Sequence, residues 1–191
     1  MRIISKEALA ELPIRRYEGR VSLVETPQEL ADAREDLRQE RVVGLDTETR
    51  PSFRKGETHL PCLVQAATAQ AVYLFQLNRL DVFPALAELL AKPEVMKTGV
   101  GLAYDLQQLK QVFPFTVENV LDLGVIARRR GLGQTGVRNL AGMLLGCRIP
   151  KGNRTSNWAA PRLSPAQIAY AATDAWACRE LYLSFEQQGL L

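Results

Sequence analysis

An apolar run leads into two carboxylates in the stretch Arg41-Val42-Val43-Gly44-Leu45-Asp46-Thr47-Glu48-Thr49. Its apolar part is typical of a buried β-strand, in which successive side chains point to opposite faces. Asp46 and Glu48 therefore share one face, and Thr47 takes the other. Two like charges held so close repel, and a divalent cation between them or protonation of one of them relieves that repulsion. The alternative is that both acids are solvated in a loop after the strand.

The composition is that of one soluble globular domain. The chain has 191 residues, of which 47% are hydrophobic and 24% are charged, and this length is sufficient for a sizeable core. It has no apolar run of about 18 residues or more, the length that a membrane span needs, and its N-terminus lacks the apolar stretch of a signal peptide. We therefore expect a cytoplasmic protein without a membrane partner.

The rarity of histidine limits the chemistry. His59 is the only histidine, and the three cysteines Cys62, Cys147 and Cys178 lie far apart. This pattern excludes a histidine-based triad and argues against a disulfide framework or a thiolate zinc site. A bound metal must then be held by oxygen ligands, which favours Mg²⁺ or Mn²⁺.

Strand and helix signals alternate along the chain. A strand, a helix that Thr26-Pro27 begins, and the opening strand form a βαβ unit, so we expect at least one parallel pair. Residues 51–61 are polar and rich in proline, which indicates a loop. The remaining predicted elements are a hairpin at 62–68 and 71–75, a helix at 83–92, a strand at 95–100, a strand at 117–121, helices at 123–130 and 137–145, and a helix from Ser164-Pro165 to about Gln188.

Two later segments supply further acids. Asp105 lies in the opening turn of a helix, directly after a strand and a glycine-rich turn. Tyr170 and Asp174 are four residues apart on the last helix, so they share one helical face, and alanines surround them. Taken alone, Asp105 is better explained as a charge at a helix N-terminus, and Asp174 is equally well explained as a surface acid. Taken with Asp46 and Glu48, the four carboxylates match two divalent cations that clamp an in-line phosphodiester displacement.

The segment between Asp122 and Asp174 contains cations and no acid. Such a one-sided charge distribution predicts a polyanionic partner such as nucleic acid, and the alternative is a solvated basic face. Within it, a loop carries Lys151, Arg154 and Trp158. The indole beside these cations is positioned to stack on a base, or else it anchors the loop.

These residues also resemble a known family. The three motifs of the DEDD 3′–5′ exonucleases, in their tyrosine-bearing branch, are similar to Leu45-Asp46-Thr47-Glu48, Gly99-Val100-Gly101-Leu102-Ala103-Tyr104-Asp105 and Tyr170-Ala171-Ala172-Thr173-Asp174. The run from Lys151 through Ser156-Asn157-Trp158 to Tyr170 resembles the ribonuclease D and Werner-syndrome exonuclease subgroup. The resemblance covers about residues 21–187 of a single domain, 1–191. It implies an α/β, ribonuclease H-like fold with a mixed sheet of five or six strands flanked by helices.

The resemblance also implies roles for single residues. Asp46, Glu48, Asp105 and Asp174 would bind two divalent cations, Mg²⁺ or Mn²⁺, and Tyr170 would orient or deprotonate the attacking water. Because a free tyrosine has a pKa of about 10, we favour orientation over a role as a full base at neutral pH. The implied product is a nucleoside 5′-monophosphate released from the 3′ end of a single strand. The substrate contacts that we predict are Thr47, Lys151, Arg154 and Trp158.

Two other functions compete with this one. A haloacid dehalogenase-type phosphatase also begins with a strand and an acidic motif, but Glu48 and Arg50 break that pattern. A degenerate exonuclease fold that binds nucleic acid without cutting it is the second alternative, and the presence of all five site residues argues against it. The sequence does not decide between DNA and RNA, and it leaves self-association open.

Overall fold

A mixed sheet forms the centre of the protein. The computed structural model describes residues 2–54, 56–152 and 155–191, and within these ranges six strands pair in the order β1-β4-β3-β2-β5-β6. The strands are β1 (Arg20–Leu23), β2 (Val42–Thr49), β3 (Pro61–Ala67), β4 (Ala71–Gln76), β5 (Met96–Gly99) and β6 (Val120–Asp122). The predicted fold class, with its mixed sheet of five or six strands, is confirmed.

The directions of the strands follow from the connections between them. β2, β5 and β6 are parallel neighbours, β3 is antiparallel to both β2 and β4, and β1 is parallel to β4. The predicted βαβ unit has its two strands in the same direction, but the hairpin of β3 and β4 lies between them. The last strand is shorter than predicted and begins at Val120 rather than Val117.

Helices cover both faces of the sheet. Those of the described residues are α1 (Lys6–Glu11), α2 (Pro27–Gln39), α3 (Phe83–Ala91), α4 (Leu102–Leu109), α5 (Leu123–Arg129), α6 (Val137–Leu140), which continues as a π-helical turn (Ala141–Leu145), and α7 (Pro165–Gln187). Val43 and Leu45 of β2 pack in a core with α3 and α4. Alanines of α7 pack on β3 and β4, so the sheet, with β2 near its middle, lies between α7 on one face and α3 and α4 on the other.

The two helices that were predicted from their caps begin where the sequence indicates. Thr26 and Glu29 form a capping box at α2, and Ser164 and Gln167 form one at α7, each with a proline in the first turn. These reciprocal hydrogen bonds satisfy backbone N–H groups that the first turn leaves open. No described helix is long and apolar enough to cross a membrane.

The N-terminal segment, residues 2–19, contains a helix that was not predicted. α1 has no fully buried residue, although the side chain of Leu9 lies beside Gly142 of the π-helical turn. The segment is nevertheless attached to the domain, because Ile14 forms an isolated bridge with Arg148 and the backbone N–H of Tyr17 donates to the Thr173 hydroxyl at 3.1 Å. It therefore runs beside α7, next to Asp174.

Candidate active site

Three carboxylates from two elements meet at the centre of the sheet. Asp46 and Glu48 lie on the same face of β2 and Asp174 lies on α7, and each offers an oxygen within 4.8 Å of the others. Gly44 makes this approach feasible. A Cβ atom on Gly44 would lie 2.7 Å from the backbone nitrogen of Arg179 and would overlap the carbonyl oxygen of Ala175, the residue after Asp174. The absence of a side chain at Gly44 thus lets α7 pack directly on β2.

Burial makes the ionised forms of Asp46 and Asp174 unfavourable. Burial, followed by the charges of Asp174, Glu48 and Asp105, raises the pKa of Asp46 well above its usual value. Burial also raises the pKa of Asp174 to about 6, although a hydrogen bond from Tyr170 and the charge of Arg138 oppose the shift. Desolvated like charges of this kind are relieved by a cation. An all-oxygen set at this spacing fits a hard divalent ion such as Mg²⁺ or Mn²⁺.

Tyr170 lies one helical turn before Asp174. Its hydroxyl donates a hydrogen bond to the Asp174 carboxylate, and burial together with the charges of Asp174 and Glu48 raises its pKa above the usual value. A tyrosine with a raised pKa stays protonated at neutral pH. Of the two roles that the resemblance implies, this supports orientation of the attacking water rather than its deprotonation.

Asp105 is placed apart from the other three acids. It lies in the first turn of α4, which follows Gly101 in a left-handed conformation with φ 81°. The Thr47 hydroxyl donates to the Asp105 carboxylate, while burial and the charge of Asp122 raise the pKa of Asp105 to about 6. Since Thr47 faces the α4 side of β2, Asp105 flanks the group of three instead of joining it, although its charge still acts on Asp46.

The structure places the predicted substrate contacts in different environments. Trp158 is 0% exposed and packs against Tyr170 with 6.0 Å between ring centroids, so the prediction that its indole stacks on a base is wrong. Because its indole is buried among apolar side chains, Trp158 has the alternative role and anchors the loop. Lys151 is exposed and lies near the site. Thr47 contacts Asp105, and Arg154 lies outside the described residues.

Two cavities flank the carboxylates. The α7 cavity, about 280 Å³, is lined by residues that include Arg16, Lys151, Gly152, Tyr170 and Asp174. The α4 cavity, about 260 Å³, is lined on the other side by residues that include Thr47, His59, Tyr104, Asp105 and Gln108. Both open onto acids of the site, so together they offer room for the two sides of a bond that is cut there.

Sequence reasoning missed two cations near the site. Arg16 reaches the α7 cavity from the N-terminal segment, in which no motif or periodic pattern marks it. Arg138 is half-buried, donates to the carbonyl of Pro150 at 3.2 Å, and lowers the pKa of Asp174 and of Tyr170. Arg138 belongs to the basic segment noted above, but the sequence did not distinguish it from the other cations there.

Comparison with known proteins agrees with this geometry. The family model described as 3′-5′ exonuclease matches residues 21–189. Ribonuclease D of Gluconacetobacter diazotrophicus is 37% identical over 165 residues, which cover 84% of this chain and 41% of that protein. The chain thus spans about two fifths of the length of the ribonuclease D sequences that it matches.

Solved structures share the fold. The Nibbler EXO domain of Aedes aegypti superposes with a TM-score of 0.78 at 25% identity, over 92% of this chain and 91% of that one. RNase D of Trypanosoma brucei in complex with RNA U12 does so with a TM-score of 0.75 at 20% identity, over 93% and 64%. With the family match over most of its length, the chain belongs to the 3′–5′ exonuclease family, and the resemblance read from its DEDD motifs is confirmed.

Proposed function

We propose that this protein hydrolyses phosphodiester bonds from the 3′ end of nucleic acid in a divalent-cation-dependent reaction and releases nucleoside 5′-monophosphates. The observation that carries the proposal is the meeting of Asp46, Glu48 and Asp174 within 4.8 Å, with Tyr170 hydrogen-bonded to Asp174. Membership of the exonuclease family supports it.

The acids are the residues that would hold the cations. Asp46, Glu48 and Asp174 would bind one ion, and Asp105 would contribute to a second from its flanking position. When bound, two divalent ions supply positive charge to the phosphate and lower the pKa of water. Mg²⁺ and Mn²⁺ both suit this oxygen set, and the choice between them is part of the proposal.

Side chains of the protein would orient the attacking water and hold the acids in position. Water forms a new bond to phosphorus and loses a proton to solvent, while the bond from phosphorus to the 3′-oxygen breaks. That oxygen takes up a proton from solvent and leaves as the 3′-hydroxyl of the shortened strand. Tyr170, protonated at neutral pH and hydrogen-bonded to Asp174, has a hydroxyl oxygen free to accept a hydrogen bond from the attacking water. Such fixed orientation is worth several kcal/mol of the barrier, by the order of magnitude known for positioned reactants. Thr47 holds Asp105 in place by its hydrogen bond.

The substrate that we propose is a single-stranded 3′ end. Ribonuclease D relatives, and the RNA bound to the structural neighbour from Trypanosoma brucei, favour RNA over DNA for this chain as well. A cytoplasmic location and self-association stay predictions that accompany the proposal.

The test is a digestion of end-labelled RNA, single-stranded DNA and duplex DNA with a recessed 3′ end, each with Mg²⁺, Mn²⁺ or EDTA. Release of monophosphates is expected only with a divalent cation, and Asp46→Ala and Asp174→Ala should abolish it while circular dichroism shows a folded protein. Tyr170→Phe should lower kcat by about 10²-fold, the loss expected when a reacting group is misplaced by about 1 Å. Binding of nucleic acid by the wild type without cleavage in any metal would instead identify an inactive binding module.

A further inference from the structure

The N-terminal segment places a cation at the site from outside the family core. The family match begins at residue 21, whereas residues 2–19 lie beside α7. The hydrogen bond from Tyr17 to Thr173 fixes the segment next to Asp174, and the backbone N–H of Arg15 donates to the carbonyl of Arg148 at 3.1 Å. Arg16, between these two attachments, therefore has a fixed backbone position at the rim of the α7 cavity.

The guanidinium of Arg16 is available for a ligand. Among the described residues no hydrogen bond or ion pair engages it, and the residue is exposed. Its neighbour Arg15 differs, because its guanidinium lies over the Trp176 ring at 5.1 Å from the centroid. Lys151 is exposed and lines the α7 cavity too, and within residues 2–54, 56–152 and 155–191 no ion pair engages it. Two cations without a partner there thus face one cavity beside Asp174.

The two cavities differ in charge. The described residues that line the α4 cavity include no lysine or arginine, and Glu57 and Asp105 are among them. The α7 cavity has Arg16 and Lys151 besides Asp174. A strand cut at its 3′ end presents a nucleoside on one side of the scissile phosphate and further phosphates on the other. The cationic cavity suits the side with the phosphates, since cations bind the backbone of nucleic acids.

We propose that Arg16, with Lys151, binds the first phosphate on the 5′ side of the scissile one and so sets the direction in which the strand lies across the site. The inference rests on the proposed exonuclease function. Arginine suits this position because its planar guanidinium donates two parallel hydrogen bonds to phosphate oxygens. Tyr170 and Asp174 line the same cavity, so the scissile phosphate would lie at their end of it. Arg16 is exposed at the rim, which is why we assign it to the neighbouring phosphate.

The experiment pairs a change in the protein with a change in the substrate. Two single-stranded oligonucleotides of one sequence are compared, one unmodified and one with an uncharged methylphosphonate at the first phosphate 5′ of the scissile bond. With wild type, the methylphosphonate should lower kcat/KM about tenfold, as expected for loss of a charge-assisted hydrogen bond. In Arg16→Ala the unmodified substrate should show the same loss, and the methylphosphonate should cause little further change.

Controls separate this contact from general effects. Arg15→Ala removes the same charge one residue away and should keep kcat/KM within about twofold, whereas Arg16→Lys should recover part of the loss. The slope of log(kcat/KM) against log[salt] should become shallower by about 0.7 in Arg16→Ala, the value for one phosphate contact on a single strand. Equal losses in Arg15→Ala and Arg16→Ala, or fully additive effects of Arg16→Ala and the methylphosphonate, would overturn the proposal. Absence of cleavage of the unmodified strand by wild type would instead remove the exonuclease function itself.

Discussion

Gly152 and Trp158 both lie against the ring of Tyr170. A Cβ atom on Gly152 would lie 2.9 Å from Cδ2 of Tyr170, about 0.6 Å short of ordinary carbon contact distance. The ring cannot simply slide away, because Trp158 packs against it and is fully buried. We therefore expect Gly152→Ala to displace the hydroxyl of Tyr170 by some tenths of an ångström. Since a misplacement of about 1 Å costs roughly 10²-fold in rate, kcat should fall about tenfold.

The stability of the Gly152→Ala variant should change little. Gly152 is exposed, its φ lies outside the left-handed region, and alanine reduces the entropy of the unfolded chain, so the free energy of unfolding should stay within about 1 kcal/mol of wild type. The matched control is Gly136→Ala, because no atom lies within 4 Å of a Cβ at Gly136. This control should keep the wild-type kcat.

The assay is steady-state release of monophosphate from a single-stranded oligonucleotide, with urea unfolding of each variant. In a Tyr170→Phe background, Gly152→Ala should have little additional effect on kcat, because the displaced hydroxyl is already gone. A wild-type kcat for Gly152→Ala would refute the reasoning. So would a tenfold loss that persists unchanged in the Tyr170→Phe background, since the alanine would then act through something other than the tyrosine.

Three further predictions concern the acids and their support. Mg²⁺ or Mn²⁺ should raise the Tm of EDTA-treated protein, and Asp46→Asn should remove most of that rise, a result that differential scanning fluorimetry checks. In EDTA, the Tm should fall as pH rises from about 4 to 6. Asp105 and Asp174 have folded-state pKa values of about 6 against an unfolded value of about 3.9, so the folded state binds more protons than the unfolded state in that window. A Tm that does not change with pH would contradict the burial of these acids. Gly44→Ala should lower the free energy of unfolding by about 3 kcal/mol in urea titration, because the new methyl group overlaps the backbone of α7, and an unchanged midpoint would show that α7 lies farther from β2.

Local signals made most of the fold predictable. The strands β3 and β4 are largely apolar runs and β2 begins with one, and α2 and α7 begin at capping boxes with a first-turn proline. α1 was missed because its six residues are too few to show a helical period, and the contact of Leu9 with Gly142 joins residues distant in sequence. The start of β6 was misplaced because three residues carry too little pattern, and their pairing with β5, such as Thr98 with Leu121, is a property of the assembled sheet.

The site was predictable in part. The two-residue spacing of Asp46 and Glu48 and the four-residue spacing of Tyr170 and Asp174 fix faces of a strand and a helix, and the structure brings three of these acids together. The position of Asp105 was not predictable, since it depends on which face of β2 the helix α4 covers. The burial of Trp158 depends on packing against α7 and β4, and Arg16 reaches the site through contacts distant in sequence.

Substitutions at the cation-binding acids and at the residues that support them should change stability in opposite directions, although both lower activity. Asp46 is held beside two like charges at a cost in stability, so Asp46→Asn should raise the Tm of the metal-free protein while it abolishes cleavage. Gly44 contributes no charge and serves only to let α7 approach β2, so Gly44→Ala should lower both stability and activity. A cation site built on a closely packed helix requires these opposite changes in stability, an increase for Asp46→Asn and a decrease for Gly44→Ala. If Asp46→Asn also destabilised the metal-free protein, the carboxylate would be a structural hydrogen-bond acceptor, and the cation-binding role assigned to it would fail.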